Sequence, residues 1–113
     1  MKRALAAALL ALAAGCTPAL VPVAAAIKNR ANEERMVWLT TERHTEDGKT
    51  VETAQTLGLV EPLRLGTFDF EVREDASFRL VATDRSGEPS RPLHATEPRR
   101  PRSGETVEVV VER

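Results

Sequence analysis

The chain has 113 residues, with 17 acidic and 16 basic side chains, one cysteine, three phenylalanines, one tryptophan and no tyrosine. That length provides for one small domain with a thin core and excludes a large multidomain enzyme. The slightly acidic balance argues against a nucleic-acid binder, which would show a basic face.

The first segment is the most distinctive. Lys2 and Arg3 precede an Ala/Leu run from Ala4 to Ala14, and Gly15-Cys16 follows. A basic start, an apolar stretch and a small-residue zone make up the layout of a secretory signal. Leu12-Ala13-Ala14-Gly15-Cys16 resembles a bacterial lipobox, with Ala13 where Leu, Val or Ile is usual. The resemblance implies a cleaved lipoprotein signal peptide over residues 1–15 and an acylated Cys16 with a tether over residues 16–22. Lipidation at Cys16 would add a diacylglycerol and fatty acid such as palmitate, and several acyl chains give stable membrane anchoring. A lone cysteine is a liability in an exported protein, and acylation removes it. Thr17, rather than Asp, follows the cysteine. By the same resemblance the protein goes to the outer membrane, facing the periplasm or the extracellular side.

Two alternatives stand beside this reading. Ala24-Ala25-Ala26 satisfies the small-x-small rule, so cleavage after Ala26 would release a secreted periplasmic binding module. An uncleaved anchor from Ala4 to Ile27 is long enough to cross a bilayer, but Gly15, Thr17, Pro18 and Pro22 interrupt it. Without the leader, 98 residues remain from Cys16 to Arg113, with 14 basic against 17 acidic side chains and a net charge of −3.

From Val23 onward the chain reads as short β-prone runs separated by turn residues. Val23 to Asn29 is a strand, or alternatively the start of an Ala-rich helix reaching Arg35. In Arg35 to Arg43, Val37, Leu39 and Thr41 alternate with Met36, Trp38 and Thr40. Glu46-Asp47-Gly48-Lys49 supplies a hairpin turn, and Val51 to Val60 returns as its partner. After Glu61-Pro62, Phe68, Phe70 and Val72 alternate with Asp69, Glu71 and Arg73, the cleanest period-2 pattern in the chain. Phe78, Leu80 and Ala82 repeat the alternation. Pro89 to Ala95 reads as a proline-bearing edge strand, and Thr106 to Glu112 closes the domain with Val107, Val109 and Val111 on one face.

These runs predict an all-β fold, a small Ig-like two-sheet antiparallel β-sandwich of about seven strands after a cleaved signal peptide, with residues 23–113 as the domain. The expected core is Val37 or Trp38, Leu39, Leu57, Leu59, Leu65, Phe68, Phe70, Val72, Phe78, Leu80, Ala82, Leu93, Val107, Val109 and Val111. Leu65-Gly66-Thr67-Phe68, Phe78-Arg79-Leu80-Val81-Ala82 and Ser103-Gly104-Glu105-Thr106-Val107-Glu108 make the stretch from Ile27 to Arg113 resemble small, uncharacterised Ig-like β-sandwich lipoproteins of GC-rich bacteria. That resemblance implies fold and location and carries no catalytic residues.

Chemistry is sparse. His44 and His94 stand far apart in sequence and in no ligand-spaced cluster, so both read as surface residues and no metal site or cofactor is expected. Asp69 and Glu71 share a strand face opposite the phenylalanines, which reads as a solvated face rather than an acid-base pair. No serine sits in a nucleophile elbow, and the glycines are scattered singly. The remaining feature is Arg91, Arg99, Arg100 and Arg102 around His94, diluted by Glu97 and Glu105 and stiffened by Pro98 and Pro101. It would meet anionic headgroups, lipopolysaccharide or an acidic partner. The expectation is a lipid-anchored, non-enzymatic envelope module. Its partners would be membrane lipid through Cys16 and an envelope protein or surface polymer, with a small hydrolase the outsider.

Overall fold

The computed structural model describes residues 18–112. The lipobox, Cys16 and Thr17 lie outside that range. Seven strands follow in order: β1 (Leu20–Asn29), β2 (Arg35–His44), β3 (Thr50–Val60), β4 (Leu65–Arg73), β5 (Ser77–Thr83), β6 (His94–Ala95) and β7 (Glu105–Val111). They form a two-sheet β-sandwich, with a three-stranded sheet ordered β4-β1-β7 and a four-stranded sheet ordered β3-β2-β5-β6. All pairings are antiparallel except β1 with β7, which is parallel, so the sandwich is not purely antiparallel. Within the class the strand order is its own. The immunoglobulin constant arrangement pairs the first strand with the second, whereas here β1 and β2 lie in different sheets.

The Ala-rich β1 is a strand because pairing on both sides outweighs its helical propensity. It begins at Leu20, earlier than expected, and Ala19 O already accepts a hydrogen bond from Glu74 N at 2.9 Å. Residues 20–22, expected as part of a tether, thus belong to β1. Small Ala25 between Val23 and Ile27 suits a central strand buried against the opposite sheet.

Alternation fills the space between the sheets. Val23, Ala25 and Ile27 of β1, Phe70 and Val72 of β4, and Val107, Val109 and Val111 of β7 meet Val37, Leu39, Phe78, Leu80 and Ala82 of the other sheet. Phe70 and Phe78 bridge the sheets edge to face, with centroids 5.7 Å apart and planes at 67°. Leu59, Leu65 and Leu93, expected in the core, are instead 37%, 63% and 49% exposed. For Leu59 the cause is a bulge: Val37 pairs with Gly58 but Trp38 with Thr56, which puts Val60 inside and turns Leu59 outward. Leu65 follows the parity of Asp69, not of Phe70. Leu93 precedes a strand of only two residues, to which the expected Pro89–Ala95 edge strand is reduced, because its prolines cannot sustain a ladder.

The outer face of β5 is also covered over its second half. Val81 and Thr83 are buried beside half-buried Trp38, whose indole N–H donates to Thr83 Oγ1 at 3.0 Å. At the end of the sandwich where β1 finishes, Asn29 is a polar plug. Its Nδ2 donates to the carbonyls of Glu33, Val60 and Glu61 at 2.9, 3.1 and 3.2 Å, and its Oδ1 accepts from Ala31 N at 2.9 Å. One side chain thereby ties the β1–β2 loop to the β3–β4 loop. Leu63 in the latter loop adopts a left-handed conformation (φ 59°), unusual for a bulky residue. Buried Arg35 caps the same end, with Nη1 3.1 Å from Glu34 O and 3.5 Å from carboxylate oxygens of both Glu33 and Asp84.

Candidate functional site

Strand pairing sorts the loops between two ends. Leu20 pairs with Arg73, Glu42 with Ser77, and Val23 with Glu105. The start of β1 therefore lies with the β2–β3 hairpin, the β4–β5 turn and the loop leading into β7. The other end carries the β1–β2 and β3–β4 loops.

The expected arginine cluster is divided. Arg91 sits in a turn closed by its own N–H to Glu88 O at 3.0 Å, in the loop after β5. Neighbouring Pro89 and Ser90, with Pro98, wall an open groove of about 530 Å³ on the outer face of the four-stranded sheet, floored by Thr40, Glu42, Glu52 and Arg79. His94 is half-buried and pairs with Ala82 on the edge of that sheet. Arg99 lies further along the same edge, exchanging two backbone hydrogen bonds with Phe78 at 2.8 and 3.0 Å. Its guanidinium is turned to Glu105, 2.7 Å away. Arg100 and Arg102 are exposed, and neither has an ion-pair partner among the described residues. Gly104, in a left-handed conformation (φ 75°), ends this loop by donating its N–H to Pro22 O at 3.1 Å. Arg100 and Arg102 thus stand beside the start of β1, away from His94.

Among the described residues, the other ionisable groups gather most closely at the far end, where Arg35 meets Glu33 and Asp84 beside the Arg85–Glu34 pair; the rest are scattered. His44 accepts or donates a 3.2 Å hydrogen bond with Thr50 at the base of an exposed hairpin. Asp69 and Glu71 are exposed on the outer face of β4, as their alternation with Phe68 and Phe70 requires. Asp75 is held by Arg73 through two contacts of 3.0 and 3.1 Å, and this hydrogen-bonded arginine lowers its pKa below the ordinary 3.8. Asp47 is lowered as well, chiefly by the Thr45 hydroxyl in the hairpin turn. Among the described residues no three His, Cys, Asp or Glu side chains gather into a metal-binding group, and no helix is long and apolar enough to cross a membrane.

Sequence reasoning overlooked Asn29 and Arg35 as organisers of the far end. Asn29 offered a signal, an amide at an inward-facing position of an alternating strand, which must find buried partners. No family model, curated protein or solved structure matches the chain.

Proposed function

We propose that the chain is a lipid-anchored, non-enzymatic module of the bacterial cell envelope, held to a membrane through acylated Cys16, with its loops directed at an envelope protein or surface polymer. The observation that carries this reading is the position of β1. Ala24-Ala25-Ala26 occupy the middle of the central strand, between β4 and β7. Cleavage after Ala26 would remove seven of its ten residues, Leu20 to Ala26, together with buried Val23 and Ala25. β4 and β7 would be left with no strand between them over most of their length. The same strand weighs against an uncleaved anchor. With Leu20 onward committed to the sheet, the apolar stretch from Ala4 to Ala19 has 16 residues, short of the roughly 20 a spanning helix needs. Cleavage before Cys16 leaves the sandwich whole.

The non-enzymatic part of the reading rests on the described ionisable groups, which lie over turns and outer strand faces or, with Arg35, in an ion-paired cap, and among which no acid, base and nucleophile are brought together. The test of the anchor is metabolic labelling with a fatty acid: the wild type takes up label, and Cys16→Ser takes up none and accumulates as uncut precursor. A wild-type protein that takes up no label refutes the anchor. Turnover of an ester, peptide or glycoside that disappears in His44→Ala or His94→Ala refutes the non-enzymatic reading.

A further inference from the structure

Accepting the lipid anchor proposed above, we propose that Arg100 and Arg102 form, with Leu20, the membrane-facing surface of the sandwich and seat it on anionic phospholipid headgroups. Three observations converge on that end. Four peptide units separate Cys16 from Leu20, so their Cα atoms lie within about 14 Å whatever path the chain takes. Leu20 is 57% exposed although it opens the central strand. The Arg100-Pro101-Arg102 loop is tied to that strand by the 3.1 Å bond from Gly104 N to Pro22 O.

The loop is built to present two cations. Arg99 is consumed internally by Glu105 and by its backbone bonds to Phe78. Half-buried Pro101 separates exposed Arg100 from exposed Arg102, and Arg102 O accepts from Glu105 N at 3.1 Å to close the turn. Several carboxylates of that end are engaged: Asp75 by Arg73, Glu105 by Arg99, and Asp47 by Thr45 and, at 3.9 Å, Lys49. Glu42, Glu46, Glu71, Glu74 and Glu97 stay exposed, with Glu71 opposite Pro22, so the unpaired positive charge is confined to the loop and the end as a whole is not basic. The short peptide link to acylated Cys16 keeps the loop close to the leaflet, so most of the entropy of association has been met, and each arginine near an anionic leaflet then shifts the seated population about fivefold.

The experiment uses the acylated full-length mature protein. With Cys16 thioether-linked, Ser103→Cys supplies a single reactive thiol for an environment-sensitive fluorophore beside the loop, and Ser86→Cys supplies one at the other end. Each labelled protein is inserted into vesicles of phosphatidylcholine alone or of phosphatidylcholine with phosphatidylglycerol, both carrying a headgroup quencher. The Ser103 label is expected to be quenched more strongly in the anionic vesicles, and the Ser86 label equally little in both. Arg100→Glu/Arg102→Glu should abolish the anionic preference, as should about 1 M salt, where the Debye length is about 3 Å. Equal quenching at Ser103 and Ser86, or quenching at Ser103 indifferent to lipid charge and to charge reversal, overturns the proposal. Intact mass separates this from failure of the anchor itself: a protein without acyl mass refutes the anchor, and an acylated protein with an unquenched loop refutes only the seating.

Discussion

Phe70 is the residue whose loss would be felt most directly. It is 7% exposed, lies on β4 and meets Phe78 of the opposite sheet edge to face, so it joins the two layers as well as filling space between them. Truncation of a buried phenylalanine to alanine costs about 3–5 kcal/mol through lost transfer energy and the cavity left behind. A domain of this size has a total stability of only about 5–10 kcal/mol, so Phe70→Ala is expected to be partly or wholly unfolded. Phe70→Leu, which keeps most of the volume, should fold with a loss of about 1–2 kcal/mol. At roughly 4–8 °C per kcal/mol for so short a chain, its melting temperature should fall by about 5–15 °C. Asp69→Ala, one residue away on the solvent face, should stay within about 0.5 kcal/mol. The assay is thermal and urea unfolding of the protein in detergent, followed by circular dichroism, with Phe78→Leu added for a double-mutant cycle. Coupling of about 0.5–1.5 kcal/mol is expected for the ring pair. If Asp69→Ala costs as much as Phe70→Leu, the two faces of β4 are assigned backwards.

Asn29→Ala leaves the carbonyls of Glu33, Val60 and Glu61 and the buried Ala31 N–H without their amide partner, a loss of about 2–4 kcal/mol measurable by urea unfolding. Asn29→Asp should be worse at neutral pH, because a carboxylate would face the carbonyls of Glu33, Val60 and Glu61, and its stability should recover as acid protonates it. Gly66→Ala places a Cβ 2.6 Å from Val60 Cγ2 and 3.4 Å from Phe68 Cε2; with Val60 fully buried, overpacking should cost about 1–3 kcal/mol in the same assay. The Asp75 pKa, held below 3.8 by Arg73, should move up toward that value in Arg73→Ala when carboxyl resonances are titrated by NMR. The stabilisation from this pair is present in full above the unfolded aspartate pKa and fades as pH falls through the lower folded value, so it belongs to the acid limb alone.

Strands with a buried inner face and a wet outer face were legible because a period of two records which side each residue meets. β7 follows that rule throughout, and β4 and the first half of β5 follow it closely, with Phe70, Val72, Phe78 and Leu80 buried and Phe68 half-buried. Legibility failed where another element intervened. The bulge opposite Val37 and Trp38 reverses the parity of β3, and nothing in Leu57-Gly58-Leu59-Val60 announces which residue is the extra one. Val81 and Thr83 are buried on the face that alternation assigns to solvent, which depends on distant parts of the chain closing over β5. The parallel neighbour of β1 pairs with residues 82 positions further along the chain, beyond any local pattern. For the arginine loop, residue type was readable but position was not: only the Arg99–Phe78 bridge and the Gly104–Pro22 bond place Arg100 and Arg102 beside the start of β1 and away from His94.

The most direct measurement is the intact mass and N-terminal sequence of the mature protein extracted from a bacterial envelope. The expected species begins at Cys16, carries the added mass of a diacylglycerol and an N-acyl chain, and retains all of Leu20–Asn29 as β1. A mature chain beginning at Ile27, folded and without acyl mass, would contradict both the anchor and the structural role assigned to the central strand.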